Sequence, residues 1–316
     1  MEHINVIGDI DPRLWERQCL TKSSEDYLFH YRNFEYDATW SIYVGNASRE
    51  FTPDPQSKNI FMLVEPPEVY NYRIEYLARF DLVAGPMFEQ YTSLPNYLFS
   101  QVALPWSVGV SFQDTSLDIR SRLMRKLPGR FRSILKKEAL ISFDIAELMQ
   151  SKLEKDYQLS VITSSKSETP MQKLRLDFIK YLEGRNVVPL NVYGRGFKPI
   201  RDKFDVLSKS THHLALENSS HFGNWTEKLA DPILALNRTY YAGAPDINDY
   251  FSPGAVLPID LSNFEKAAEI IEEDFLTIEY NELILEEARH QLVSEYSFES
   301  IVKRILKTKK VTNFVK

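Results

Sequence analysis

The sequence predicts an α/β protein built from two domains, and three observations carry that prediction. The chain has 316 residues, too many for one small core and about right for two domains of roughly 150 residues each. Short continuous apolar runs recur, each stopped by glycine, proline or charge. Buried parallel strands read that way when helices cover both faces of their sheet. In the second half such runs alternate with a helical period, in the order β-α-β-β-α-β expected of a Rossmann-type domain.

The elements can be taken in order. Ile4-Asn5-Val6-Ile7 ahead of Gly8-Asp9 reads as a first strand entering a turn. Ser41 to Val44 and Ile60 to Val64 are two more, the latter ending at Glu65-Pro66-Pro67, and Phe80 to Ala84 is a fourth, stopped by Gly85-Pro86. From Asp118 to Lys137 the chain turns basic, broken by Pro128-Gly129, and the domain boundary is expected near this stretch. Leu159 to Thr163 is a strand, and Met171 to Leu182 a helix with Leu174, Phe178 and Leu182 on one face. Val187 to Tyr193 leads into Gly194-Arg195-Gly196, too short a glycine pattern to count as a dinucleotide fingerprint. His213 to Leu216 and Thr239 to Ala242 are further strands, with a helix after Trp225 between them. The expected division is 1–155, 156–290, and a C-terminal helix, 291–316, packing back on the first domain.

Composition narrows the function classes. With 43% hydrophobic and 26% charged residues the balance is ordinary for a globular protein, which sets aside disorder and fibres. The net charge of −6 argues against a dedicated nucleic-acid binder. Cys19 is the single cysteine, so no internal disulfide and no cysteine metal cage can form, and a reducing, cytoplasmic setting is expected. Residues 1–13 have no apolar run of signal-peptide length, and no stretch approaches 18 consecutive apolar residues. The sequons at Asn46, Asn218, Asn224 and Asn237 carry no meaning in that compartment.

One segment has the physical make-up of an anion site. Between Leu216 and Leu229 a strand ends, a polar loop with Gly223 follows, and Thr226 is placed to cap a helix from Glu227 to about Leu236. Unpaired backbone N–H groups at such a helix start suit a phosphate, Lys228 adds a full charge, and Glu227 can accept hydrogen bonds from two ribose hydroxyls. On these residues alone a capped surface helix is the simpler reading.

Glu217-Asn218-Ser219, then Thr226-Glu227-Lys228, Tyr241-Ala242-Gly243-Ala244-Pro245 and Asp249-Tyr250-Phe251-Ser252-Pro253, resemble the signature of the α-1,3/4-fucosyltransferases of glycosyltransferase family ten, in its bacterial form. The resemblance is specific over residues 161 to 270 and faint before them. It implies a GT-B architecture, two Rossmann-like domains facing each other across a cleft, and inverting, metal-independent transfer from a nucleotide sugar. It implies GDP-fucose as donor, no cofactor, and a hydroxyl of a surface glycan such as lipopolysaccharide O-antigen as acceptor. Residue by residue, it implies that Arg175 and Lys228 hold the donor diphosphate and that Glu227 binds the ribose. Glu217, Asn218 and Asn224 fall at donor-pocket positions, and Glu65 at that of the general base. Two positions depart from the pattern: Asn224 stands where bacterial members carry a base-stacking aromatic residue, and Leu216 where they carry phenylalanine.

Other candidates read as structure. Asp9-Ile10-Asp11 follows the first strand and reads as a turn, and the His212-His213 pair lacks partner ligands nearby. The acidic stretch Glu265 to Glu282 reads as a solvated helix face. The basic segments 120–137 and 303–310 are solvated or packed surfaces whose sharper alternative is peripheral membrane contact. Two readings compete with fucosyl transfer: a relative on the same scaffold using another nucleotide sugar, and an inactive protein that binds glycan or nucleotide.

Overall fold

The computed structural model describes residues 1–19, 26–31, 37–45, 50–112 and 139–308. The basic run 118–137 lies wholly outside them, as do Asn46, Lys309 and Lys310.

Six strands form the first sheet: β1 (Glu2–Ile7), β2 (Tyr27–His30), β3 (Trp40–Val44), β4 (Lys58–Met62), β5 (Leu82–Gly85) and β6 (Tyr97–Phe99). Their order is β2-β1-β3-β4-β5-β6 and every pairing is parallel. Register explains why these runs lack an apolar/polar alternation. Val6, Ile42, Ile60 and Leu82 lie side by side and enter one core, while Tyr43, Phe61 and Val83, one residue on, enter another. Both faces are covered, so both residue sets must be apolar. The short helices α1 (Arg13–Glu16), α2 (Ile74–Leu77) and α3 (Glu89–Thr92) supply part of that cover through Trp15, Tyr76, Leu77 and Tyr91.

A short antiparallel pair, β7 (Val110–Phe112) with β8 (Ala139–Ile141), and helix α4 (Ile145–Gln150) connect this sheet to the next. The second sheet holds β9 (Asp156–Ile162), β10 (Leu190–Tyr193), β11 (Ser210–Leu216), β12 (Arg238–Ala242) and β13 (Val256–Pro258), in the order β10-β9-β11-β12-β13, again all parallel. Its helices are α5 (Pro170–Arg185), α6 (Phe204–Leu207), α7 (Glu227–Leu234), α8 (Phe264–Thr277) and α9 (Glu282–Tyr296). Val161, Leu214 and Tyr240 share a register row and pack against α5 and α8. Ala215 and Tyr241, on the opposite face, pack against α7 and α9.

The last helix, α10 (Phe298–Leu306), returns to the first sheet. Phe298, Ile301, Val302, Ile305 and Leu306 are all at most 4% exposed and complete the core beside Ile4 and Ile42. The apolar face that would enter a bilayer is thus already packed. On the opposite face Lys303 pairs with Glu299 at 3.0 Å and Arg304 donates to Gln101 at 2.9 Å. Among the described residues no helix is long and apolar enough to cross a membrane. Two all-parallel sheets, each covered on both faces and open to a cleft between them, are the GT-B architecture.

Candidate active site

Parallel sheets collect loops at the carboxyl ends of their strands, where ligands of such folds bind. Here the loops after β4, β9 and β11 and the starts of α5 and α7 enclose a cavity of ≈480 Å³. Glu65 and Glu68 stand on its first-sheet wall, and Arg175, Lys203, Glu227 and Lys228 on its second-sheet wall.

The second wall is assembled from beneath. Leu216 ends β11, and the Glu217 amide continues the ladder by donating to the Ala242 carbonyl at 2.9 Å. The Glu217 side chain, 1% exposed, turns under the start of α7. Its carboxylate accepts from the Thr226 amide at 2.8 Å and the Thr226 hydroxyl at 2.9 Å, and lies 3.2 Å from the Lys228 ammonium. Thr226 in turn caps α7, its Oγ1 accepting from the Lys228 amide at 3.3 Å. A side chain at Gly243 would collide with Glu217 Cγ and the Tyr241 ring, so this position must be glycine.

Charge follows from these contacts. Burial works against the Lys228 ammonium, but the carboxylates of Glu217 and Glu227 overrule it and hold the group charged. Burial would likewise raise the Glu227 carboxyl, yet Lys228 and Lys203 pull it down to about 2. Both groups are ionised at any working pH.

Arg175 projects from the second turn of α5 and is 4% exposed. Its guanidinium donates to Asn218 Oδ1 at 2.5 Å and to the carbonyl and hydroxyl of Ser164 at 3.3 Å, tying the loop after β9 to the loop after β11. Burial lowers its proton affinity, Glu217 opposing. The Nε donor is buried without a protein partner among the described residues, so the site holds a hydrogen bond in reserve.

Glu65 lies three residues beyond β4, which ends at Met62 rather than Val64 because only the Leu63 amide still bonds the neighbouring strand, at Ala84. The carboxyl lines the cavity, and burial raises its pKa against the pull of Lys228 and Lys166. Glu68 accepts from the imidazole of His221, 2.9 Å away on the opposite loop, so this pair bridges the two walls.

Of the residues the sequence singles out, the cavity brings together Glu65, Arg175, Asn218, Glu227 and Lys228. It leaves out two. Glu217 supports the wall without facing the cavity. Asn224 is 2% exposed, donates its Nδ2 to Ser219 Oγ at 2.7 Å, and does not line this cavity. Trp225 next to it packs edge-on against Tyr250, Phe251 and Tyr296. Among the described residues lining the cavity, none is aromatic.

Sequence reasoning misses Lys203, Lys166, Glu68 and His221. Lys203, Lys166 and Glu68 line the cavity with no local pattern around them, while His221 lies within the 216–229 segment and enters through its contact with Glu68. The other candidates resolve as structure. Asp11 pairs with Arg13 at 2.6 Å where α1 begins. His213 is buried beside Ser160 Oγ at 2.9 Å, and burial lowers it to about 3 and His212 to about 4, so both stay neutral. Among the described residues no group of three His, Cys, Asp or Glu side chains is placed to hold a metal.

No protein-family model matches the chain, and no curated protein matches it in sequence. Among solved structures, an α1,3-fucosyltransferase is similar at 16% identity over 98% of this chain and 91% of its own, with a TM-score of 0.48. A crystal structure of an α1,3-fucosyltransferase with GDP-fucose is similar at 18% identity, with the same coverage and a TM-score of 0.49. A pneumococcal O-GlcNAc transferase, GtfA in complex with UDP and GlcNAc, is similar at 10% identity over 87% of this chain and 57% of that one, with a TM-score of 0.47.

Proposed function

We propose that this protein is an inverting glycosyltransferase that moves a sugar from a nucleoside diphosphate onto a hydroxyl of a glycan. The observation that carries the reading is a half-buried carboxyl, Glu65, across one cavity from two cations, Arg175 and Lys228, rooted in the opposite sheet. The chemistry is balanced by that division. As the acceptor oxygen bonds to the anomeric carbon, its proton passes to Glu65. The bond from that carbon to the leaving phosphate oxygen breaks, and the electron pair departs with the diphosphate. Arg175 and Lys228 neutralise the charge that develops there. Attack from the wall opposite the leaving group inverts the anomeric centre.

Glu227 is suited to the two ribose hydroxyls, since it stays ionised beside Lys228 and accepts only. GDP-fucose is the donor favoured by the signature around Thr226-Glu227-Lys228, and a surface polysaccharide the favoured acceptor. The cationic wall is suited to a diphosphate whatever the base. A purely binding protein has no use for a desolvated carboxyl opposite a phosphate site.

The test is a thermal-shift screen across GDP, UDP, dTDP and CMP, followed by release of nucleotide from the sugar form of the best binder. Stabilisation by GDP with slow release from GDP-fucose is expected. Stabilisation by none of the four removes the reading, and a preference for UDP moves it to another sugar donor.

A further inference from the structure

Glu227 and Asp231 are four residues apart on α7, so their carboxylates project from one face of the helix, where like charges repel. Between them sits Lys203, which enters from the residue before α6. Its ammonium is 2.6 Å from Asp231 Oδ2 and 3.9 Å from Glu227 Oε1. Asp231 is fully buried and its other oxygen is also occupied. Oδ1 accepts from the backbone amides of Ser107 at 2.7 Å and Val108 at 3.0 Å. The Gly109 amide is held in the same way by Asp202 at 2.9 Å, immediately before Lys203. Residues 107–109 belong to the connection between the two sheets. A chain of contacts therefore runs from that connection through Asp231 and Lys203 to Glu227, whose carboxylate lines the cavity.

Resting on the reading of Glu227 as the ribose ligand, we propose that Lys203, anchored on Asp231, is a positioning residue that sets the charge and pose of Glu227 for a nucleoside diol. Three features fit this role better than direct contact with a phosphate. The short bond of Lys203 goes to Asp231, so the ammonium is already spoken for. Its distance to Glu227 is that of an ion pair and not of a hydrogen bond, so Lys203 itself occupies neither Glu227 oxygen; Lys228 approaches Oε1 at 3.5 Å. Positive charge beside Glu227 offsets the repulsion from Asp231, and without it the two carboxylates would push Glu227 away from its place on the helix face. Such supporting groups behind a binding side chain commonly cost ten-fold or more in affinity when removed.

The experiment uses the full chain and isothermal titration with two probes, GDP and 2′,3′-dideoxy-GDP, with the UDP pair run in parallel. A site built to hydrogen-bond the ribose hydroxyls discriminates against the dideoxy form. In Lys203→Met we expect affinity for the ribonucleotide to fall by about ten-fold while that for the dideoxy form changes by less than about two-fold. Lys203→Arg keeps the charge and is expected to restore most of the discrimination. Equal loss for both probes overturns the proposal and makes Lys203 a phosphate ligand or a general structural support; no loss for either overturns it as well. If the unaltered chain binds neither ribonucleotide, the proposed function itself fails, a result separable from failure at Lys203 alone. Asp231→Asn, which keeps the acceptor for Ser107 and Val108 but weakens the hold on Lys203, should shift discrimination in the same direction. Unchanged discrimination in Asp231→Asn, with the variant folded, counts against the anchoring half of the proposal.

Discussion

The Glu217 carboxylate lies 3.2 Å from the Lys228 ammonium while also accepting from the amide and hydroxyl of Thr226. One buried acid thus fixes the start of α7 and the cation it presents to the cavity. Glu217→Gln keeps the shape but weakens three charge-assisted bonds. Stability should fall by about 2 kcal/mol, since Lys228 can still reach water through the cavity. Urea denaturation paired with nucleotide titration checks this; unchanged stability together with unchanged affinity would show that the pair does neither job.

Lys228→Ala and Arg175→Ala should each lose most transfer activity with the fold intact. Charge-assisted contacts to a leaving diphosphate are worth roughly 2–4 kcal/mol in the transition state, or about 30- to 1,000-fold in turnover. Steady-state transfer beside circular dichroism gives the answer, and turnover near that of the unaltered chain in either variant removes that residue from the site.

Glu65→Gln should suppress turnover by roughly a hundred-fold while nucleotide affinity holds, because glutamine cannot accept the acceptor's proton. The pH dependence has a definite sign. Glu65 must be ionised to act, and burial raises its pKa, so activity should fall as pH drops through a value above the ordinary ~4.3 of a glutamate. Glu227, held near 2, contributes no limb in that range. An acidic limb that survives in Glu65→Gln would place the base elsewhere.

Transfer should persist in excess EDTA. On the proposed reading Arg175 and Lys228, which line the cavity, would meet the diphosphate with positive charge of their own, the work that a divalent ion performs in other transferases. Loss of activity with chelator, restored by manganese or magnesium, contradicts this.

Gly194→Ala should destabilise the fold by about 1–3 kcal/mol. Gly194 has φ of +113°, and an added Cβ would strike the Thr163 carbonyl, in the loop that forms the cavity's second wall. A midpoint in urea equal to that of the parent chain would show that the loop can yield there.

Much of this protein is written locally. Apolar runs such as Ile60 to Val64 and His213 to Leu216 lie within or run on from strands because burial on both faces admits no polar alternation. The 3.6-residue spacing of Leu174, Phe178 and Leu182 marks the buried face of α5, and Thr226 announces the start of α7. The boundaries drift where tertiary pairing intervenes: β11 begins at Ser210, earlier than its apolar residues suggest, because Ser210 pairs with Asp156. What local pattern cannot carry is direction and partnership. Glu217 and Glu227 are both acids near one helix start, yet one is sealed beneath the site and the other opens into it. Asn224 and Trp225 sit in the signature segment and turn inward, while Lys203, with no motif around it, reaches the cavity from a separate loop. The physical reason is one of range. Strand and helix formation depend on burial period and caps within a few residues, whereas the ionisation and aim of a site residue depend on groups brought in from separate loops, such as Lys203 beside Glu227 and Lys228 near Glu65, which only the packed chain assembles.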